Sequence, residues 1–200
     1  TFGGYWAWDP VENASLVPWL TFVAGAHVML INKNNGQSLS TSFILIILTF
    51  LLILYSTFLT RSGILGDTSV HAFTDLGMSG QLLVYLLFFL GWAIVLLVRN
   101  WKKIPTLVEE ESATSREFWM FIGALVLLIS SFQIIATTSI PVINKVFGSN
   151  IAPPLKAVEH YNSWQVPFAI LVSILIGVGQ FFKFRKTNMN EFYKKISVSV

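Results

Sequence analysis

The sequence predicts an all-α polytopic integral membrane protein, with about five transmembrane helices in 200 residues. Hydrophobic side chains make up 54% of the chain and charged ones 12%, about half the charge of a typical soluble domain. The apolar residues gather into five runs, each near the ~20 residues that a helix needs to cross ~30 Å of hydrocarbon. Most of the basic residues fall on alternate connections between those runs, the bias that orients membrane helices.

The first run covers residues 10–31. Asp9 is a suitable N-cap, Pro10 suits the first turn, and Glu12 stands at the capping-box spacing. Pro18 lies inside the run, so a kink or a fresh helix start is expected there. Residues 41–60 carry no charge at all and make the clearest span. Residues 81–98, 118–137 and 164–182 are the remaining spans, and the cap spacing recurs at Thr114–Glu117 and Asn162–Gln165, before two of them. The chain opens without an initiator Met or a basic leader and closes on the apolar stretch 196–200. Both ends are therefore expected to be fragment ends, the last one opening a further segment.

Five crossings place the connections alternately on two sides. One side holds Lys33, then Arg99, Lys102, Lys103 and Arg116, then Lys183, Arg185, Lys186, Lys194 and Lys195, ten of the 13 basic residues. The positive-inside rule makes that side cytoplasmic, with residues 99–116 and 183–195 on it. Residues 1–20, 61–80 and 138–163 then face outward. The net charge of +3 is spread in short runs between apolar stretches, which excludes a nucleic-acid partner and leaves the lipid bilayer as the expected one. Cysteine is absent, so this chain supplies no thiolate ligand, nucleophile or disulfide.

The outward start is unusual. Phe2, Tyr5, Trp6, Trp8 and Trp19 cluster beside the Gly3-Gly4 pair and the acids Asp9 and Glu12. Trp19 fits an ordinary interfacial belt. The compact Tyr5-Trp6-Ala7-Trp8 run instead offers flat apolar faces to a large planar ligand. His71 lies in a semi-apolar outward loop, where it is either a surface residue or an axial ligand to an iron near the aromatic strip. Arg61 is the basic residue of that loop and could pair with Asp67, Asp75 or a ligand carboxylate. His27 lies within the first span. An ionisable group there is a functional candidate by default, the alternative being a neutral histidine bonded to a carbonyl. The small residues Ala24, Gly25 and Ala26 beside it allow either close helix packing or room for a cofactor. His160 reads as a cap or interface residue, and Asn13 and Gln133 as polar groups bonded across helices.

The run from Gly3 to Ser15, with Trp6-Ala7-Trp8-Asp9-Pro10 at its centre, resembles the tryptophan-rich (WWD) signature of haem-handling membrane proteins. Leu59-Thr60-Arg61-Ser62-Gly63-Ile64-Leu65, followed by Ser69-Val70-His71-Ala72-Phe73, narrows the resemblance to the CcmF/NrfE-type membrane subunit of the cytochrome c haem lyase, of which this chain is similar to a middle part. The resemblance implies location in a bacterial inner membrane, with the motif facing the periplasm. It implies a substrate haem b held at the outer surface by Tyr5, Trp6, Trp8, Asp9, Trp19 and Arg61, with His71 as one of two axial ligands. It implies a second, intramembrane haem b with His27 as an axial ligand, acting as a reductant for the first. The implied activity is a share in a haem lyase complex that joins haem vinyl groups to the Cys-x-x-Cys-His thiols of apocytochrome c. No side chain here matches a chemical nucleophile. A CcmE-like haem chaperone and a CcmH-like thiol-handling protein are the implied partners. A haem-exporting or chaperone-loading member of the superfamily is the alternative, and a solute transporter a more distant one.

Overall fold

An apolar run that must satisfy its backbone hydrogen bonds without water does so as a helix. The computed structural model describes residues 6–69, 71, 77–105 and 112–199. Among them are seven α-helices: α1 (Pro10–Asn35), α2 (Leu39–Arg61), α3 (Ser79–Asn100), α4 (Arg116–Thr138), α5 (Ile140–Phe147), α6 (Ala157–Gly179) and α7 (Met189–Ser199). Five of these, α1, α2, α3, α4 and α6, are long and apolar enough to cross a membrane. They neighbour one another in the order α3, α2, α1, α4, α6, so α1 is central.

The central place of α1 follows from its small and polar residues. Ala24 is fully buried against Val28, Leu45 and Ala124. A Cβ added to Gly25 would stand 3.4 Å from both Leu45 Cβ and Ile46 Cδ1. Ala24 and Gly25 therefore serve close helix packing, which decides the choice that the sequence leaves open. Lipid tails are as apolar as leucine, so close packing and interhelical hydrogen bonds, rather than the hydrophobic effect, hold such helices together. Thr49 Oγ1 of α2 donates to Thr21 Oγ1 of α1 at 3.2 Å. Gln165 of α6 accepts from Ser130 Oγ at 2.6 Å and donates to Gln133 Oε1 at 2.7 Å on α4. The outermost helix α3 buries no residue within the described chain and shows apolar side chains all round, as a lipid-facing helix does.

Helix α1 begins on the expected capping box: Asp9 accepts from Val11 N, and Glu12 accepts from Asp9 N. It continues through Pro18 to Asn35, and Gly36 closes it at φ 75°, donating its N–H to Asn32 O. Next to Pro18, Thr21 Oγ1 donates to the carbonyls of Val17 and Pro18. Helix α4 is capped by Ser115, whose Oγ accepts from Phe118 N, one residue later than the spacing suggests. The largest difference is α6, which begins at Ala157, so Asn162–Gln165 lie inside the helix. Asn162 and Gln165 bond to Trp8 and α4 instead of capping their own backbone. The connection 138–163 holds the short amphipathic helix α5, and α7 begins within the basic segment after α6.

Candidate functional site

Two groups of candidate residues stand far apart on α1. The first is built at the start of that helix. Ala7 N and Asp9 N both donate to Glu12 Oε2, at 3.0 and 3.1 Å, and Asn13 Nδ2 donates to Trp8 O at 3.1 Å. The chain is thus folded back over the first helical turn, and Trp8 is held at φ 59°. A bulky residue in the left-handed region costs about 1–3 kcal/mol, which persists only where the surroundings impose it. The surroundings here come from α6. The Trp8 ring stacks on Tyr161 with centroids 5.1 Å apart and planes 17° from parallel, and Trp8 Nε1 donates to Asn162 Oδ1 at 2.8 Å. Trp6 meets Trp8 edge-on at 5.8 Å and is 38% exposed.

Asp9 joins this aromatic group to the segment after α2. Its Oδ1 accepts from Val11 N at 2.9 Å and from Ser69 Oγ at 2.7 Å, and His71 Nδ1 lies 3.4 Å away. Ser69 Oγ in turn accepts from His71 N at 3.1 Å. The Asp9 carboxylate thus stands at ion-pair distance from the His71 imidazole. Trp6, Trp8, Asp9 and His71 are therefore brought together, from segments about 60 residues apart in sequence. Arg61 is exposed at the last position of α2. Tyr5 lies outside the described residues.

The second group surrounds His27. Asp9 and His27 are 18 positions apart on one continuous helix, about 27 Å of rise. His27 Nδ1 lies 2.8 Å from Val23 O. A carbonyl can only accept, so this bond needs the proton on Nδ1, and in the neutral ring the lone pair is then on Nε2. The ring lines a cavity of about 440 Å³ between α1, α4 and α6, bordered by Trp19, Arg116, Trp119, Gly123, Leu175 and Gly179 among others. That volume is within the usual range for small-molecule and cofactor sites. There is room beside its glycines: a Cβ on Gly123 would meet only Leu175 Cδ1 at 4.0 Å, and one on Gly179 nothing within 4 Å. Trp19, 59% exposed, belongs to this cavity and also borders a neighbouring one that reaches Trp8. Among the described residues no group of three or more His, Cys, Asp or Glu converges on one point. A haem does not need one, because its ring supplies four ligands and the protein only the axial ones.

Tyr161 and Asn162 were not among the sequence candidates, though they adjoin His160, which was considered. Their signal was an aromatic and an amide side by side, the two partners that a buried indole needs. His160 itself sits in the first turn of α6, edge-on to Tyr161, with Nε2 3.5 Å from Gln133 Nε2.

Residues 1–65 match the family model described as cytochrome C assembly protein. The chain is 33% identical over 192 residues to the cytochrome c-type biogenesis protein CcmF of Pseudomonas fluorescens, covering 93% of this chain and 27% of that protein. It is 31% identical over 184 residues to the NrfE protein of Escherichia coli, covering 90% and 32% respectively. A cytochrome c-type biogenesis protein CycK from Bradyrhizobium diazoefficiens is 46% identical over 96 residues, 48% of this chain and 14% of that protein. No solved structure matches the chain. The chain thus spans about a third or less of the length of these relatives. With five potential membrane helices and homology to CcmF and NrfE proteins along most of its length, this chain belongs to the CcmF/NrfE family of cytochrome c biogenesis membrane proteins.

Proposed function

We propose that this chain holds two haems within a haem lyase complex of the bacterial inner membrane, one at the outer surface for covalent attachment to apocytochrome c and one resident in the membrane. The carrying observation is the convergence of Trp6, Trp8, Asp9 and His71, which joins planar aromatic surface to an imidazole beside a carboxylate. In this reading that end faces the periplasm, because the basic residues lie at the opposite end of the helices. Trp6 offers the accessible ring, and Trp8, whose one face is spent on Tyr161, fixes the position of Trp6. Trp19 and Arg61 flank the substrate haem, and His71 is one axial ligand of its iron.

Attachment adds each substrate thiol S–H across a haem vinyl group. No atom leaves, so the protein's task is to hold the ring and present its edge to the thiol. A CcmE-like chaperone delivers the haem and a CcmH-like protein the apocytochrome. Three features support a resident haem b in the His27 cavity: an imidazole on its wall whose Nδ1 is held by a backbone carbonyl, glycines in its lining, and a largely apolar surface. Bound there, that haem would supply a one-electron couple to the substrate iron and would draw its own electron from an external one-electron donor. His27 would hold its iron, and Val23 O would hold the ring of His27 in place.

The test uses full-length protein in detergent. His71→Ala is expected to abolish or weaken external haem retention and cytochrome c maturation and to leave the b-type reduced-minus-oxidised spectrum intact. His27→Ala is expected to remove that spectrum while chaperone-bound haem still loads externally. Normal maturation by His71→Ala at limiting haem, or an unchanged b-type signal in His27→Ala, overturns the corresponding half of the proposal.

A further inference from the structure

The cavity at His27 is not uniformly apolar. Arg116, the first residue of α4, closes its basic end. Arginine at a membrane-helix end ordinarily finds an acid or a lipid phosphate. Among the described residues, two acids of this region have other partners. Glu117, only 2% exposed, receives Arg185 N on both oxygens, at 3.0 and 2.9 Å, and Glu191 pairs with Lys183 at 2.6 Å. Among the described residues no carboxylate lies within ion-pair distance of Arg116. Its guanidinium instead stands over the Phe184 ring at 5.2 Å.

The position of Arg116 is fixed by its backbone. Arg116 N donates to Lys183 O at 3.0 Å, and Thr187 N to Thr114 O at 3.1 Å, so the start of α4 is tied to the chain leaving α6. Phe184, which supports the guanidinium, comes from that same tied segment. The result is one cavity with an imidazole on its α1 wall, glycines on its α4 and α6 walls, and a single cation at its basic end. A guanidinium at the rim of a largely apolar cavity favours a ligand that is flat and apolar in its body and anionic at one edge. A haem with its two propionates has that form, and a guanidinium fork matches a carboxylate in both shape and charge.

We infer that Arg116 binds a propionate of the haem ligated by His27, so that this haem lies with its propionate edge toward the basic end of the helices. The inference rests on the His27 proposal above and adds the orientation and the charge partner of its ligand. Oxidation of a haem iron adds a positive charge, and a nearby guanidinium opposes it. Arg116 therefore raises the midpoint potential of that haem as well as retaining it.

The experiment takes full-length protein freed of external haem and compares wild type, His27→Ala, Arg116→Gln and Arg116→Lys. Arg116→Gln is expected to keep the shape of the b-type spectrum, since the axial ligands are untouched. Its midpoint potential should fall, and its haem should pass to excess apomyoglobin roughly tenfold faster, the effect of losing one charge-assisted contact. Arg116→Lys should restore most of the potential, which depends on charge, and less of the retention, which depends on the fork. Potential and transfer rate unchanged in Arg116→Gln, with the His27→Ala signal lost, would overturn this inference alone and make Arg116 a lipid-phosphate anchor. A b-type signal surviving in His27→Ala would remove the His27 proposal and this inference together.

Discussion

The hydrogen bond from Trp8 Nε1 to Asn162 Oδ1 is a small feature with a measurable consequence. Trp8 is held at φ 59°, at a cost of about 1–3 kcal/mol. Opposing this are the indole hydrogen bond, worth about 1 kcal/mol, and the stack on Tyr161, worth about 1 kcal/mol beyond its buried area. The two sides nearly balance, so loss of the hydrogen bond lets Trp8 leave its place and Trp6 with it. Trp8→Phe keeps an aromatic face and removes the N–H, while Asn162→Ala removes the acceptor. Each is expected to weaken external haem binding about fivefold, the equivalent of ~1 kcal/mol. Because both remove the same bond, the double variant should also be about fivefold weaker rather than about 25-fold. The assay is absorption titration of haem into full-length protein stripped of external haem, with the b-type spectrum as a folding control. Fully additive losses, or single variants that bind as wild type does, would refute the clamp.

Three further expectations concern the helix start, the packing and the topology. Asp9→Asn retains an N-cap side chain but removes the charge beside His71; the external haem should bind with a higher midpoint potential at unchanged thermal stability, and an unchanged potential would show that Asp9 serves only as a cap. Gly25→Ala should be tolerated, since its Cβ meets neighbours at 3.4 Å, whereas Gly25→Leu should overpack the α1–α2 contact by about 1–3 kcal/mol and lower the Tm of the detergent-purified protein. Equal Tm values for the two would show that the helices do not approach closely there. Lys102→Cys, in a chain with no natural cysteine, should resist an impermeant thiol reagent added outside intact cells; ready labelling would reverse the orientation in the membrane.

The sequence by itself determined the membrane class and the existence of all five long helices. Hydropathy over about 20 residues is a local property, fixed by the chain's own side chains and the thickness of a bilayer. The Asp9 capping box was equally legible, because donors and acceptors lie within one turn of each other. The motif residues were legible as candidates through their resemblance to the family. Tertiary structure decided what the candidates do for one another. Whether Ala24 and Gly25 made room or made contact depended on where α2 and α4 pass, which no local pattern contains. The early start of α6 was hidden because Asn162 and Gln165 look like caps in sequence and become interhelical partners only when Trp8 and α4 stand beside them. Arg116 counted in the sequence only as one more positive charge on the basic side. Its place at the mouth of the His27 cavity follows from the packing of α4 against α1 and α6. Side-chain partnership across tens of residues is set by helix packing, and helix packing is where the chemistry of this chain was decided.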